Sequence, residues 1–233
     1  RAFHCNLYLS RLAEHGIDTS EQLVNLTVDK YWESAKEALA IGRRLGKKVI
    51  LMGTSTGATQ ALQLAATYPN DVAGLVLYSP NIAINDPNAW LLNNPWGLQI
   101  ARLVLKSKYN TPKDPRAIYK QYWNTPYRLE ATVALEEMLE TSMNKSIFED
   151  INQPVLMLYY YKSETEQDKV VKVSAMKKMF DQLKTPDAKK RSVALPKTGD
   201  HVIASPIKSG DIESVEKETS RFMEEIMQMR KTP

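Results

Sequence analysis

Cysteine is nearly absent: Cys5 is the only one in 233 residues. An internal disulfide framework is therefore excluded, while the compartment stays open. No apolar run approaches the roughly 18 residues that a membrane-spanning helix needs. Charge of one sign is missing too. The formal net charge is +4, and basic residues are interspersed with acidic ones. The densest basic run, Lys189-Lys190-Arg191, reads as solvated charge leading into a strand, so there is no nucleic-acid signature. No set of His, Cys and Asp residues has metal-ligand spacing, and neither a metal nor an organic cofactor is expected. Only three histidines occur, His4, His15 and His201. What remains is ordinary globular composition, 43% hydrophobic and 25% charged. The length suits one α/β domain with a sizeable core, or one domain with an insertion.

The most informative stretch runs from Lys48 to Tyr68. Val49 to Met52 has the length and composition of a buried strand. Gly53-Thr54-Ser55-Thr56-Gly57 follows, and then Ala58, Ala61, Leu62, Ala65 and Ala66 recur at helical spacing until Tyr68-Pro69. A G-x-S-x-G pattern between a strand and a helix is the context of a nucleophile elbow. The turn is expected to be too tight for a side chain at Gly53 or Gly57. It lifts the Ser55 hydroxyl above the sheet, and the Thr56 backbone N–H points where an oxyanion would form.

Around this stretch the pattern alternates. Phe3 to Leu9 reads as a strand that would bury Cys5. A polar loop follows, with Thr27 or Asp29 as a helix cap. A helix spans about Lys30 to Leu45, with Trp32, Ala35, Leu39 and Gly42 on one face. Asp71 to Tyr78 is a further buried strand. Pro154 to Tyr161 and Arg191 to Leu195 are two more, and a helix over about Val173 to Leu183 lies between them. A last helix is expected from about Asp211 to Arg230. Repeated strand–helix alternation predicts an α/β fold, a mostly parallel sheet with flanking helices. Between Asn81 and Ile151 no clear strand is legible; helical patterns are punctuated by prolines and rich in aromatics. This segment reads as an inserted helical cap over an apolar pocket, with Trp90, Trp96, Tyr122 and Trp123 as substrate-binding candidates. The organisation is therefore 1–80 and 152–233 as the two parts of the core, with 81–151 as the cap.

A serine hydroxyl needs a base, and the base needs a group that fixes its tautomer. In hydrolases with this elbow the chain order is Ser, acid, His. Of the three histidines only His201, in the loop after the last strand, satisfies that order. The acid belongs in the loop beyond Tyr161, which offers Glu164, Glu166 and Asp168. Asp168 is the first choice because Val170-Val171 would anchor its end of the loop, and Glu164 is the runner-up.

With these residues in place, the chain resembles the α/β-hydrolases of the carboxylesterase and monoacylglycerol-lipase-like branch. The resemblance rests on Arg11-Leu12-x-x-His15-Gly16, the elbow at Ser55, the Gln167-to-Val171 segment and Gly199-Asp200-His201. It implies a triad of Ser55, Asp168 and His201, with Thr56 as an oxyanion donor. The partner is then a small-molecule ester. Thr54 and Thr56 depart from the His and Met often seen beside the serine. The family's second oxyanion donor, a His-Gly loop after an early strand, has no match before the elbow. Together with Arg1 in first place, this leads to the expectation of a chain shortened at its N-terminus. Three readings follow: ester hydrolysis; thioester, amide or acyl-transfer chemistry on the same triad; or a non-catalytic binding protein that keeps the pocket. The oligomeric state is not legible.

Overall fold

Four parallel strands form the central sheet of the computed structural model, which describes residues 3–16, 21–111, 114–123 and 125–231. In chain order, helix α1 (Val28–Leu45) leads to strand β1 (Ile50–Thr54), helix α2 (Thr56–Thr67) and strand β2 (Gly74–Tyr78). Helix α3 (Gly97–Leu105), strand β3 (Tyr109–Asn110), helix α4 (Ala117–Tyr122), strand β4 (Tyr127–Arg128), helix α5 (Glu130–Ser142) and helix α6 (Lys145–Glu149) follow. Strand β5 (Val155–Tyr159), helix α7 (Val173–Gln182), strand β6 (Lys190–Ala194) and helix α8 (Ile212–Glu225) complete the fold. The sheet order is β1-β2-β5-β6.

The period of two along each strand splits the core into two layers. Leu75 and Leu77 on β2, with Val155, Met157 and Tyr159 on β5, face α1, α2 and α7. Val76, Leu156 and Leu158 face the other way, onto Phe222 and Met223 of α8. A sheet buried on both faces explains why these strands read as continuous apolar runs. On β1, at the sheet edge, Met52 is 48% exposed.

Helix α1 starts at Thr27, whose side chain accepts from the Lys30 N–H at 3.2 Å. Its buried face is Tyr31, Ala35 and Leu39, and Trp32 is only half-buried. Gln60 of α2 donates to the Tyr31 carbonyl at 3.0 Å and ties the two helices together. Among the described residues no helix is long and apolar enough to cross a membrane.

Several expectations need correction. Phe3 to Leu9 is not a strand: only Phe3 makes a bridge, to Lys231, while Leu7 and Leu9 are exposed. An apolar pattern becomes a strand only where a neighbour supplies a backbone ladder, and among the described residues this stretch has only that bridge and a side-chain hydrogen bond from Asn6 Nδ2 to the Leu45 carbonyl. Cys5 is accordingly exposed. Strands do occur between residues 81 and 151: β3 and β4 pair antiparallel, a ladder of two residues each. The last helix stops at Glu225: the Met227 N–H bonds to the Phe222 carbonyl five residues back, Gln228 takes φ 55°, and the Met227 thioether lies where a Cβ on Gly74 would collide with it.

Glu136 on α5 is a strained point. It is 8% exposed and its Oε2 has no hydrogen-bond partner. Burial, reinforced by the charge of Glu140 and opposed by Lys172, raises its pKa. A carboxyl whose folded pKa is raised opposes folding above that pKa and ceases to do so once protonated. Glu136→Gln is therefore expected to raise the melting temperature near neutral pH. The gain should shrink as the pH falls towards 4.5, the carboxyl's ordinary value. Denaturation curves at several pH values check this; a pH-independent difference would point to packing instead.

Candidate active site

The elbow is built by the meeting of β1 and α2. Ser55 has φ 55° and ψ −121°, a left-handed conformation that only a tightly constrained non-glycine residue holds. The constraints are visible. The Ser55 N–H donates to the Tyr78 carbonyl at 2.9 Å. Its carbonyl accepts from the N–H groups of Ala58, Thr59 and Asn81 at 3.0, 3.2 and 3.2 Å. Thr59 Oγ1 closes the knot by donating to the Asn81 carbonyl at 2.6 Å.

Gly53 is required here. A Cβ on it would lie 2.5 Å from backbone atoms of Gly57 and Ala58. Gly57 differs from the expectation, because a Cβ there would meet nothing within 4 Å. The steric argument holds for the first glycine of the motif only. Thr56 is the first residue of α2, so its N–H has no carbonyl one turn earlier in the helix.

Asp168 and His201 are brought together from loops 33 residues apart, with Asp168 Oδ2 2.6 Å from His201 Nδ1. A carboxylate accepts only, so Nδ1 donates, and in the neutral ring Nε2 carries the lone pair. That Nε2 is buried and has no hydrogen-bond partner, and none joins it to Ser55. Asp168 itself is 1% exposed. Its Oδ1 accepts from the N–H groups of Val170 and Val171 at 2.8 and 3.2 Å, which fixes the carboxylate plane. Glu164 is elsewhere: it is exposed and accepts from the Tyr161 hydroxyl at 2.7 Å. Glu166 is exposed and pairs with Lys162.

The His201 loop is held by a polar network. Asp200 accepts from the Val202 N–H at 2.9 Å and pairs with Lys208 at 3.0 Å. Lys208 also reaches Asp114 at 3.5 Å, and Arg116 donates to the Ile207 carbonyl at 2.7 Å. Burial works against the Lys208 charge, but Asp200 and Asp114 outweigh it and its pKa lies above the ordinary lysine value. The loop that carries His201 is thus clamped to the segment before α4. No spacing in the sequence pairs residues this far apart.

A cavity of about 130 Å³ opens at the N-terminus of α2. Thr56, His15, Tyr31, Tyr127, Thr132 and Leu135 are among its walls. The four aromatics singled out from the sequence do not line it. Trp90, Trp96 and Tyr122 are 56%, 73% and 64% exposed, and Trp123 stacks on Tyr119 at 4.8 Å. His15 and Tyr31 were missed as wall residues. The signal for Tyr31 was its i, i+4, i+8 spacing with Ala35 and Leu39.

The family model described as serine aminopeptidase, S33, matches residues 15–196. The chain belongs to this family of α/β-hydrolases. The S33 member matches no curated protein. Among solved structures, it is similar to a metagenome-derived lipolytic enzyme of the LipS and LipT pair. That likeness has a TM-score of 0.72 at 15% identity and covers 91% of this chain and 79% of the other. A monoacylglycerol lipase from Paleococcus ferrophilus superposes with a TM-score of 0.60 at 18% identity, over 83% and 74% of the two chains. A soluble variant of monoglyceride lipase from Saccharomyces cerevisiae gives 0.56 at 15% identity, over 84% and 68%. At these identities the likeness is one of fold. Both it and the family match agree with the parallel sheet and flanking helices described above.

Proposed function

We propose that this S33 α/β-hydrolase is a serine esterase that acts through an acyl-enzyme on Ser55. The observation that carries the proposal is the 2.6 Å contact between Asp168 and His201, with Nε2 buried and unpartnered. In the neutral imidazole that contact holds the proton on Nδ1 and leaves Nε2 as the nitrogen that can take a proton. In the proposed reaction Ser55 Oγ attacks the ester carbonyl carbon while its proton passes to His201 Nε2. Asp168 stabilises the imidazolium. The Thr56 N–H donates to the oxyanion. The C–O bond to the alcohol breaks as His201 returns the proton to the leaving oxygen. A water then gives a proton to His201 Nε2 as its oxygen bonds to the acyl carbon, and the C–Oγ bond breaks as His201 returns the proton to Ser55 Oγ, releasing the carboxylic acid.

Residues 81–151 would form the cap of this enzyme, with 1–80 and 152–233 as the core. The support is that Thr132 and Leu135 of α5 share a cavity with Thr56 of α2. Ester substrates are favoured by the lipolytic character of the structural neighbours. A second reading, amide cleavage on the same residues, is favoured by the aminopeptidase description of the family.

A fluorophosphonate probe tests the proposal directly. It is expected to label Ser55, located by peptide mapping, and labelling should disappear in His201→Ala. Turnover of short-chain nitrophenyl esters against aminoacyl anilides then separates the ester from the amide reading. A folded protein that the probe does not label would overturn the proposal.

A further inference from the structure

The base of the proposed triad is held at one ring nitrogen only. Asp168 fixes His201 Nδ1 at 2.6 Å, while among the described residues the buried Nε2 has no partner. One fixed atom does not place a ring, so the reach of Nε2 towards Ser55 depends on where the backbone of His201 sits. That backbone belongs to the loop between β6 and α8. The Gly210 N–H donates to the Thr198 carbonyl at 2.8 Å and closes the loop at its base. Inside the loop the Ser205 carbonyl accepts from the N–H groups of Lys208 and Ser209 at 3.0 and 2.8 Å. Asp200, the residue before His201, uses both carboxylate oxygens there. Its Oδ1 accepts from the Val202 N–H at 2.9 Å, and its Oδ2 lies 3.0 Å from Lys208 Nζ.

Lys208 is the hub of these contacts. Its ammonium also lies 3.5 Å from Asp114 Oδ2 and 5.3 Å from the centroid of the Tyr119 ring. Arg116 grips the same Asp114 at 2.9 and 2.6 Å and donates to the Ile207 carbonyl at 2.7 Å. The side chains of Lys208, Asp114 and Asp200 are 18%, 13% and 26% exposed, so this is no loose surface pair. A largely buried ion pair contributes little net stability, because desolvation offsets much of the attraction, but it holds its members in one geometry. Here one of those members is a single peptide bond away from the base.

We propose that Lys208 is a positioning residue for the reaction: by holding Asp200 it fixes the backbone of His201 and sets how far Nε2 reaches towards Ser55. This rests on the esterase reading and adds a residue to it. Asp114 and Tyr119 hold the other side of the ammonium, so the reach of the base is tied to the seating of α4 and the segment before it.

A fluorophosphonate probe is added first to the unaltered protein. No labelling of Ser55 there sinks the esterase reading, and the role of Lys208 with it. Lys208→Met is then compared with the labelled protein. It keeps an apolar stem beside Tyr119 and removes the charge. Its endpoint labelling should match that of the unaltered protein. Its labelling rate, and kcat for a short-chain nitrophenyl ester, should fall by about tenfold to 100-fold, the scale of a misplacement of about 1 Å. KM should change little, because Lys208 does not touch the substrate. Lys208→Arg should recover most of the rate, since a guanidinium keeps the charge, binds carboxylates and stacks on aromatic rings. A merely structural role gives the opposite split, with fewer labelled sites and an unchanged rate at each. Asp200→Asn covers the case in which Lys208→Met does not fold. It keeps an oxygen for the Val202 N–H, loses the ion pair with Lys208, and should show the same fall in kcat at unchanged KM. A rate per labelled site equal to that of the unaltered protein, in Lys208→Met or failing that in Asp200→Asn, would overturn the proposal and leave the esterase reading standing. A Lys208→Arg enzyme as slow as Lys208→Met would do the same.

Discussion

Ser55→Ala is expected to lower kcat for ester hydrolysis by about 10⁶-fold, the scale seen when the nucleophile of a serine hydrolase is removed. The double variant with His201→Ala should lose little more, since nucleophile and base act as a unit. The elbow supplies a second readout, on stability. At φ 55° and ψ −121° Ser55 holds a conformation that disfavours every residue with a Cβ. Strain of this type costs about 1–3 kcal/mol. Alanine keeps the Cβ and the strain, whereas glycine removes both. Gly also adds about 0.5–1 kcal/mol of unfolded-state entropy, which opposes part of the gain. Ser55→Gly should therefore be as inactive as Ser55→Ala and yet unfold at a higher urea concentration. Turnover in Ser55→Ala within tenfold of the unaltered enzyme would remove Ser55 from the mechanism. Equal unfolding midpoints for the two variants would remove strain from the account of the elbow.

The core was legible wherever one local rule decided the outcome. Gly74 to Tyr78 and Val155 to Tyr159 read as buried strands because both faces of the sheet are covered, so no polar residue interrupts them. Ala58, Ala61, Leu62 and Ala65 read as one helix face and are all buried. Local pattern failed where the outcome depended on a distant partner. Phe3 to Leu9 has the apolar content of a strand, but pairing is a property of two segments. The Lys208 clamp joins residues 94 apart and leaves no local trace.

The aromatics lie away from the cavity beside Thr56 for a different reason. Trp90, Trp96 and Tyr122 drew attention by size, yet size alone does not decide which way a side chain on a short helix or turn points. On α1 the same bias picked Trp32, one residue away from Tyr31, whose spacing with Ala35 and Leu39 marks the buried stripe. The order Ser55, Asp168, His201 could be written down from chemistry and chain order. Val170-Val171 reads in the sequence as an apolar anchor for this loop, and Val171 is buried while Val170 is 51% exposed; what no sequence pattern shows is that the two backbone N–H groups hold the Asp168 carboxylate.

That anchor sets the outcome of Asp168→Asn. In the unaltered protein Oδ1 accepts from two backbone N–H groups and Oδ2 accepts from His201. An asparagine has one oxygen and one NH₂ group, and only the oxygen satisfies Val170 and Val171. Its NH₂ group then faces His201 Nδ1, which must become an acceptor. The imidazole proton moves to Nε2, the nitrogen that should receive the Ser55 proton, and the base is lost. In serine proteases the corresponding change lowers kcat by roughly 10⁴, and a loss of this order is expected here. The fold should be kept, because asparagine has nearly the same volume and retains both backbone contacts. KM should change far less than kcat, since binding does not depend on the tautomer. Glu164→Gln is the matched control: Glu164 is exposed and bonded to Tyr161, so its turnover should equal that of the unaltered enzyme. Rates for both variants, with circular dichroism as a check of folding, decide the assignment. An Asp168→Asn enzyme within tenfold of normal turnover, or a Glu164→Gln enzyme that loses as much as Asp168→Asn, would mean that the 2.6 Å contact with His201 does not orient the base.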